Sequence, residues 1–196
     1  MSDVLAALRR AHLVDEISVV TADPLAETLA MGDRVSILRD TEQAGQSAAA
    51  EIGVRHARAV GFDRVLLAPG DTPLLDPVEI DSLLERCERD EVQAAIVPDR
   101  HGSGTNALVL APPDAMPPAF GPGSRERHEE LARARGVRHR VEDVRSLAVD
   151  VDTADDLADL AELLDQQRGA APRTRGALRQ LGRSAPAPVP SEGVEV

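Results

Sequence analysis

Lysine is missing altogether from this chain: all 22 Lys/Arg positions are arginine, so any mechanism that needs a lysine amine is excluded. Cys87 is the only cysteine, which rules out an intrachain disulfide and fits a helix residue in a reducing compartment. No apolar run approaches the ~18–20 residues of a membrane span. The amino terminus also lacks a basic-then-apolar signal pattern, so the chain is expected in the cytoplasm. There is no G-x-S-x-G, no Walker A sequence and no C-x-x-C. His12, His56, His101, His128 and His139 are scattered without metal-ligand spacing and read as surface residues. Acidic residues outnumber basic ones, 34 to 22. A formal net charge of −12 argues against nucleic acid or an anionic membrane as the main partner.

What is present is enough for one domain with a core, at 196 residues. Apolar periodicity predicts a short helix over 2–11, a strand over 16–21 and a helix from Asp23-Pro24 to about Met31. A strand over 34–38 and a helix over 46–60, stopped by Gly61, follow. Next come an apolar strand over 64–68, a helix from Asp76-Pro77 to about Asp90, and strands over 94–97 and 107–110. A helix over 124–135 stops at Gly136, and a last strand is predicted over 147–151. Thr153-Ala154-Asp155-Asp156 reads as a capping box with Asp in place of Glu, opening a helix whose Leu157, Leu160, Ala161 and Leu164 face the core. Strands alternating with helices give an α/β class with a mostly parallel sheet. After Arg168 the composition turns to Ala, Pro, Gly, Ser and Arg without sustained apolar periodicity. The expected organisation is a domain over 1–168 and a disordered tail over 169–196.

Four clusters stand out at the ends of these elements: Gly70-Asp71-Thr72-Pro73, residues 99–106 (D-R-H-G-S-G-T-N), residues 120–124 (F-G-P-G-S) and Asp150-Val151-Asp152-Thr153. In an open α/β sheet, ligands bind beyond the carboxyl ends of the strands. Asp71 is either part of a plain turn or a metal-binding carboxylate at a strand end. Asp150 and Asp152, two apart on a predicted strand, would share a face and repel unless a cation or hydrogen bonds compensate. Alternatively, Asp150 is solvated and Asp152 helps to cap the next helix. A magnesium site uses one or two carboxylates together with substrate phosphate oxygens, which favours the metal reading when Asp71 is added. Gly102, Gly104 and Ala107 match G-x-G-x-x-A, but the strand-like N-A-L-V-L follows instead of a helix, so a dinucleotide fingerprint is rejected. That loop is either a hairpin or an anion site lined by backbone N–H groups and Thr105. Ser124 either caps its helix or, with Gly121 and Gly123 allowing close approach, helps to bind an anion there, with Arg125 and Arg127 next to it. Taken together the clusters point to nucleotide or phosphate-ester chemistry.

In this order the clusters resemble the guanylyltransferases of deazaflavin coenzyme F-420 biosynthesis, the CofC/FbiD family, over roughly residues 2–164. The most specific parts are D-R-H-G-S-G-T-N-A-L, F-G-P-G-S and D-V-D-T-A-D-D-L. The resemblance implies a Rossmann-like mixed sheet of the nucleotide-diphospho-sugar transferase (GT-A) type. It implies that Asp71, Asp150 and Asp152 hold Mg²⁺ as catalytic carboxylates, and that Thr105, Gly121 and Ser124 bind a phosphorylated three-carbon acid. The implied reaction joins GMP, from GTP as co-substrate, to phosphoenolpyruvate or 2-phospho-L-lactate and releases pyrophosphate. The arginine-rich, lysine-free composition suits an actinobacterial source, which by resemblance favours phosphoenolpyruvate. Gly45-Gln46-Ser47 is the stretch by which the family would still touch the nucleotide.

Family members open with a further strand and a basic loop that contacts GTP, and this chain begins after them. The expectation is that neighbouring strands lie unpaired beside uncovered apolar surface. Two other readings stand beside the first. One is a nucleotidyltransferase with a different acceptor, such as a molybdopterin or sugar phosphate. The other is a non-catalytic protein that retains only the phospho-acid half. The sequence leaves open the phospho-acid used, the oligomeric state and the role of the tail.

Overall fold

A computed structural model describes residues 1–32, 35–151, 153–167 and 169–184. In chain order the elements are α1 (Ser2–Leu8), β1 (Ile17–Thr21), α2 (Pro24–Ala30), β2 (Val35–Arg39), α3 (Gln46–Val60), β3 (Val65–Leu67) and α4 (Pro77–Arg89). They continue with β4 (Ala94–Pro98), β5 (Thr105–Leu110), α5 (Ser124–Arg135), β6 (His139–Val141), a 3₁₀ turn (Arg145–Leu147), α6 (Ala154–Gln166) and α7 (Pro172–Ser184). The predicted caps form. Asp23 and Asp76 accept from the Leu25 and Val78 amides at 2.8 and 2.9 Å, each just ahead of a first-turn proline. Gly61 and Gly136 end α3 and α5 in the left-handed conformation. Thr153 and Asp156 form the reciprocal box that opens α6.

The sheet is mixed rather than mostly parallel. β1 pairs with β2 and β4 with β6 in parallel, whereas β5 runs antiparallel to both β3 and β4. The cause is local. The glycine-rich connection between β4 and β5 is too short for a crossover helix, so it closes as a hairpin, with the Asp99 amide donating to Gly104 O at 3.3 Å. Side chains of β4 alternate between two cores. Ala95 and Val97 pack with Val4, Leu83 and Leu147 on one face, and Ala94 and Ile96 pack with Val54 and Ala132 on the other. Both faces of the central strands are covered, so β4 and β5 are apolar almost throughout.

Among the described residues the strands form two sheets, β1-β2 and β3-β5-β4-β6. The edges of β1 and β3 line one cavity of about 730 Å³ together with α1 and α3. Helix α3 bridges the break. Its Gly53 sits where a Cβ would lie 3.7 Å from Leu67 and 4.0 Å from Val20.

Two expected elements are corrected. The segment over 147–151 is not a strand. It begins as the 3₁₀ turn, and its backbone is satisfied by side chains instead of a ladder: Ser146 N–H donates to Glu79 (2.9 Å) and Leu147 O accepts from Asn106 (2.8 Å). The edge position beside β4 is filled by β6, whose short, polar H-R-V carries no apolar signal. The expected disordered tail contains α7. Asp3 of α1 accepts from the Arg173 and Thr174 amides at 3.2 and 2.7 Å, which caps α7 from the far end of the chain. Leu178 packs onto the cluster of Leu160, Leu164 and Ala171. Residues 185–196 of that predicted tail lie outside the described residues. No described helix is long and apolar enough to cross a membrane.

Candidate active site

The glycine-rich hairpin is shaped by Asp99. Its carboxylate accepts from the Ser103 and Gly104 amides, both at 3.0 Å. Gly104 is required there, since a Cβ would fall 2.5 Å from Asp99 Oδ2. Arg125, at the start of α5, locks onto this loop: its amide donates to Ser103 O (3.2 Å) and its guanidinium to Gly102 O (3.0 Å). The second and third clusters are therefore one structure. Arg125 and Arg127, the charges next to the candidate anion site, are occupied in bracing it. Arg127 donates to the carbonyls of Ala119, Phe120 and Pro122.

Thr105 opens β5 and is buried. Its Oγ1 lies 3.0 Å from Nδ1 of His128, whose Nε2 accepts from the Ala119 amide at 2.8 Å. The expectation that His128 is a surface residue is corrected here: it is 0 % exposed, with the Phe120 ring edge-on at 5.3 Å. Burial, reinforced by the Arg127 charge, pushes its pKa down to about 4, so the ring is neutral near neutral pH. Ser124 lies one turn before His128 on the same face of α5. It is 1 % exposed, and its hydroxyl has no hydrogen-bond partner among the described residues. Its amide donates to Gly121 O, and Gly121 itself has a φ of +109°, a conformation that favours glycine. A buried hydroxyl at a helix start, one turn from the histidine that meets a second buried hydroxyl, suits a phosphate or carboxylate oxygen.

The aspartates are placed as follows. Asp71 lies in the turn after β3, followed by buried Thr72, whose hydroxyl has no partner among the described residues. Leu74 of that turn and Val151 pack against the same cluster around Leu160 and Leu164, which draws the first and fourth clusters together. Asp150 is half-buried on irregular backbone after the 3₁₀ turn. The shared-face argument from a strand therefore does not apply to it, and Asp152 lies outside the described residues. Asn106 ties the base of this segment to the second cluster through Leu147 O. Arg100 pairs with Asp156 and Asp159 at the start of α6. Among the described residues there is no group of three potential metal ligands. The donors present are carboxylate oxygens, the chemistry that suits a hard divalent cation.

On the other side, Ser47 of α3 donates to Phe120 O at 3.5 Å, which brings the Gly45–Ser47 stretch up to the third cluster. An open depression of about 400 Å³ at the carboxyl ends of β1 and β2 is lined by Thr21, Asp23, Asp40 and Gly45. Sequence reasoning missed His128. The available signal was its position four residues after Ser124, on the same helical face.

Comparison with known proteins identifies the family and the fold. The family described as "Guanylyl transferase CofC like" matches residues 1–192. A phosphoenolpyruvate guanylyltransferase of Conexibacter woesei is 49% identical over 184 residues, covering 94% of this chain and 82% of its own. A 2-phospho-L-lactate guanylyltransferase of Methanothermobacter thermautotrophicus is 34% identical over 160 residues, covering 82% and 69%. Among solved structures, a candidate nucleotide-diphospho-sugar transferase of Desulfovibrio desulfuricans superposes with a TM-score of 0.70 at 19% identity, over 92% of this chain and 79% of that one. The mixed sheet is therefore of the nucleotide-diphospho-sugar transferase type.

Proposed function

Because the chain belongs to the CofC-like guanylyltransferase family, we propose that it joins the GMP of GTP to the phosphate of phosphoenolpyruvate, releasing pyrophosphate, in coenzyme F-420 biosynthesis. The protein is a nucleotidyltransferase acting on small molecules. Phosphoenolpyruvate is preferred over 2-phospho-L-lactate because the relative at 49% identity carries that name and the one named for 2-phospho-L-lactate is 34% identical.

One observation carries the reading. The hairpin, the Phe120–Ser124 turn and the segment before Asp150 are tied together by Arg125, His128 and Asn106, and the buried Ser124 hydroxyl there lacks a partner among the described residues. Thr105 and Ser124 would donate to the phospho-acid, with Gly121 allowing close backbone approach. GTP is assigned to the side of Gly45–Ser47 and the adjoining depression. Asp71 and Asp150, with Asp152, would hold Mg²⁺, which supplies charge neutralisation of the phosphates when bound. No general base is needed. The attacking phosphate oxygen is largely ionised near neutral pH, since its second pKa is about 6. The residues therefore act by positioning and electrostatics. Such a reaction fits a cytoplasmic protein.

The test is pyrophosphate release from GTP, phosphoenolpyruvate and Mg²⁺, with CTP and other phospho-acids as controls. Asp71→Asn should abolish turnover while leaving the fold intact. Near-normal rates in that variant would reject the metal role, and activity with CTP but none with GTP would reject the guanylyl assignment.

A further inference from the structure

We infer that His128 is a positioning residue: its ring fixes the Thr105 hydroxyl so that Thr105 presents its O–H, beside that of Ser124, as a donor to the phospho-acid. The inference rests on the reading of Thr105 and Ser124 as the phospho-acid site.

The argument is one of hydrogen-bond direction. The Ala119 amide can only donate, so the Nε2 that it meets at 2.8 Å must carry a lone pair. A neutral imidazole has one N–H, which then sits on Nδ1. Nδ1 faces Thr105 Oγ1 at 3.0 Å, so the ring donates and the threonine oxygen accepts. The threonine proton is then left for another acceptor, and none among the described residues takes it. The unpartnered Ser124 hydroxyl lies one turn away on the face that His128 shares. Two buried O–H donors without acceptors suit an oxyanion. A single ring therefore links two segments: it holds the Ala119 amide through Nε2 and the Thr105 hydroxyl through Nδ1.

Two substitutions separate positioning from packing. The amide nitrogen of Asn can stand near Nδ1, so His128→Asn keeps a donor for Thr105 and loses the acceptor for Ala119. Gln reaches the Nε2 position, so His128→Gln keeps the Ala119 contact and loses the donor. Calorimetric titration with phosphoenolpyruvate and Mg²⁺ should show Gln weakening affinity roughly tenfold and Asn staying within about threefold of wild type. The Gln loss should vanish in a Thr105→Val background. Under steady state the same loss should appear in KM for phosphoenolpyruvate and leave KM for GTP near its wild-type value. A Gln variant that binds as tightly as Asn, or a Gln loss that persists with Thr105→Val, overturns the inference. Nitrogen-15 NMR of the unsubstituted protein gives an independent reading, since the His128 ring should be the neutral Nδ1–H tautomer. An Nε2–H tautomer overturns the positioning role and leaves the site intact. Absence of phosphoenolpyruvate binding by the unsubstituted protein overturns the site reading, and the inference with it.

Discussion

Acidification should destabilise this protein, and His128 should be a leading reason. Folded, its pKa lies at about 4; unfolded, it returns to 6.5. The unfolded chain therefore binds the proton more readily, so stability is fully present above pH 6.5 and drains away as pH falls towards 4. At 1.36 kcal/mol per unit, the drop between about pH 7 and about pH 4.5 is at most about 2.5 kcal/mol. The structural cause is that a protonated ring would carry a buried charge and would have to give up the Ala119 amide at Nε2. The carboxylates whose pKa values are lowered, Glu16 through the Ser36 hydroxyl and Asp90 through Arg89 and Arg140, lose their contribution only at more acid pH. Urea unfolding across this window, in wild type and His128→Gln, isolates the contribution of this ring. The wild type should lose stability progressively, and the variant should show a flatter profile from a lower starting value. Equal slopes in the two proteins would refute the assignment.

Other substitutions probe the scaffold around the site. Asn106→Ala leaves Leu147 O without its donor in a buried position; it should cost about 1–3 kcal/mol in urea unfolding and lower turnover by loosening the segment that carries Asp150. Asp3→Ala removes the acceptor of the Arg173 and Thr174 amides; it should cost about 1–2 kcal/mol and speed tryptic cleavage within α7. Unchanged cleavage would show that Leu178 packing alone holds that helix. Gly53→Ala should stabilise by roughly 0.5–1 kcal/mol, because the added methyl meets Leu67 and Val20 at ordinary contact distance and removes a helix-interior glycine. A fall in melting temperature for that variant would mean that the space between β1 and β3 is narrower than described.

Local chemistry by itself determined much of this protein. The caps at Asp23, Asp76 and Thr153, the glycine stops at Gly61 and Gly136, and the apolar strands β3 to β5 were legible because each depends on a few neighbouring residues. The four candidate clusters stood out for the same reason, since glycines, hydroxyls and carboxylates at element ends are a local signal. Tertiary structure alone decided what depended on distant partners. The antiparallel direction of β5 follows from hairpin closure, and the 3₁₀ turn at Arg145–Leu147 is held by Glu79 and Asn106 from elsewhere in the chain. Helix α7 owes its first turn to Asp3. His128 looked like any solvated histidine on a highly charged helix. It becomes a buried neutral ring only because β5 delivers Thr105 to one nitrogen and the 119–120 turn delivers an amide to the other. Burial and hydrogen-bond direction are properties of the assembled surroundings, and no window of sequence contains them.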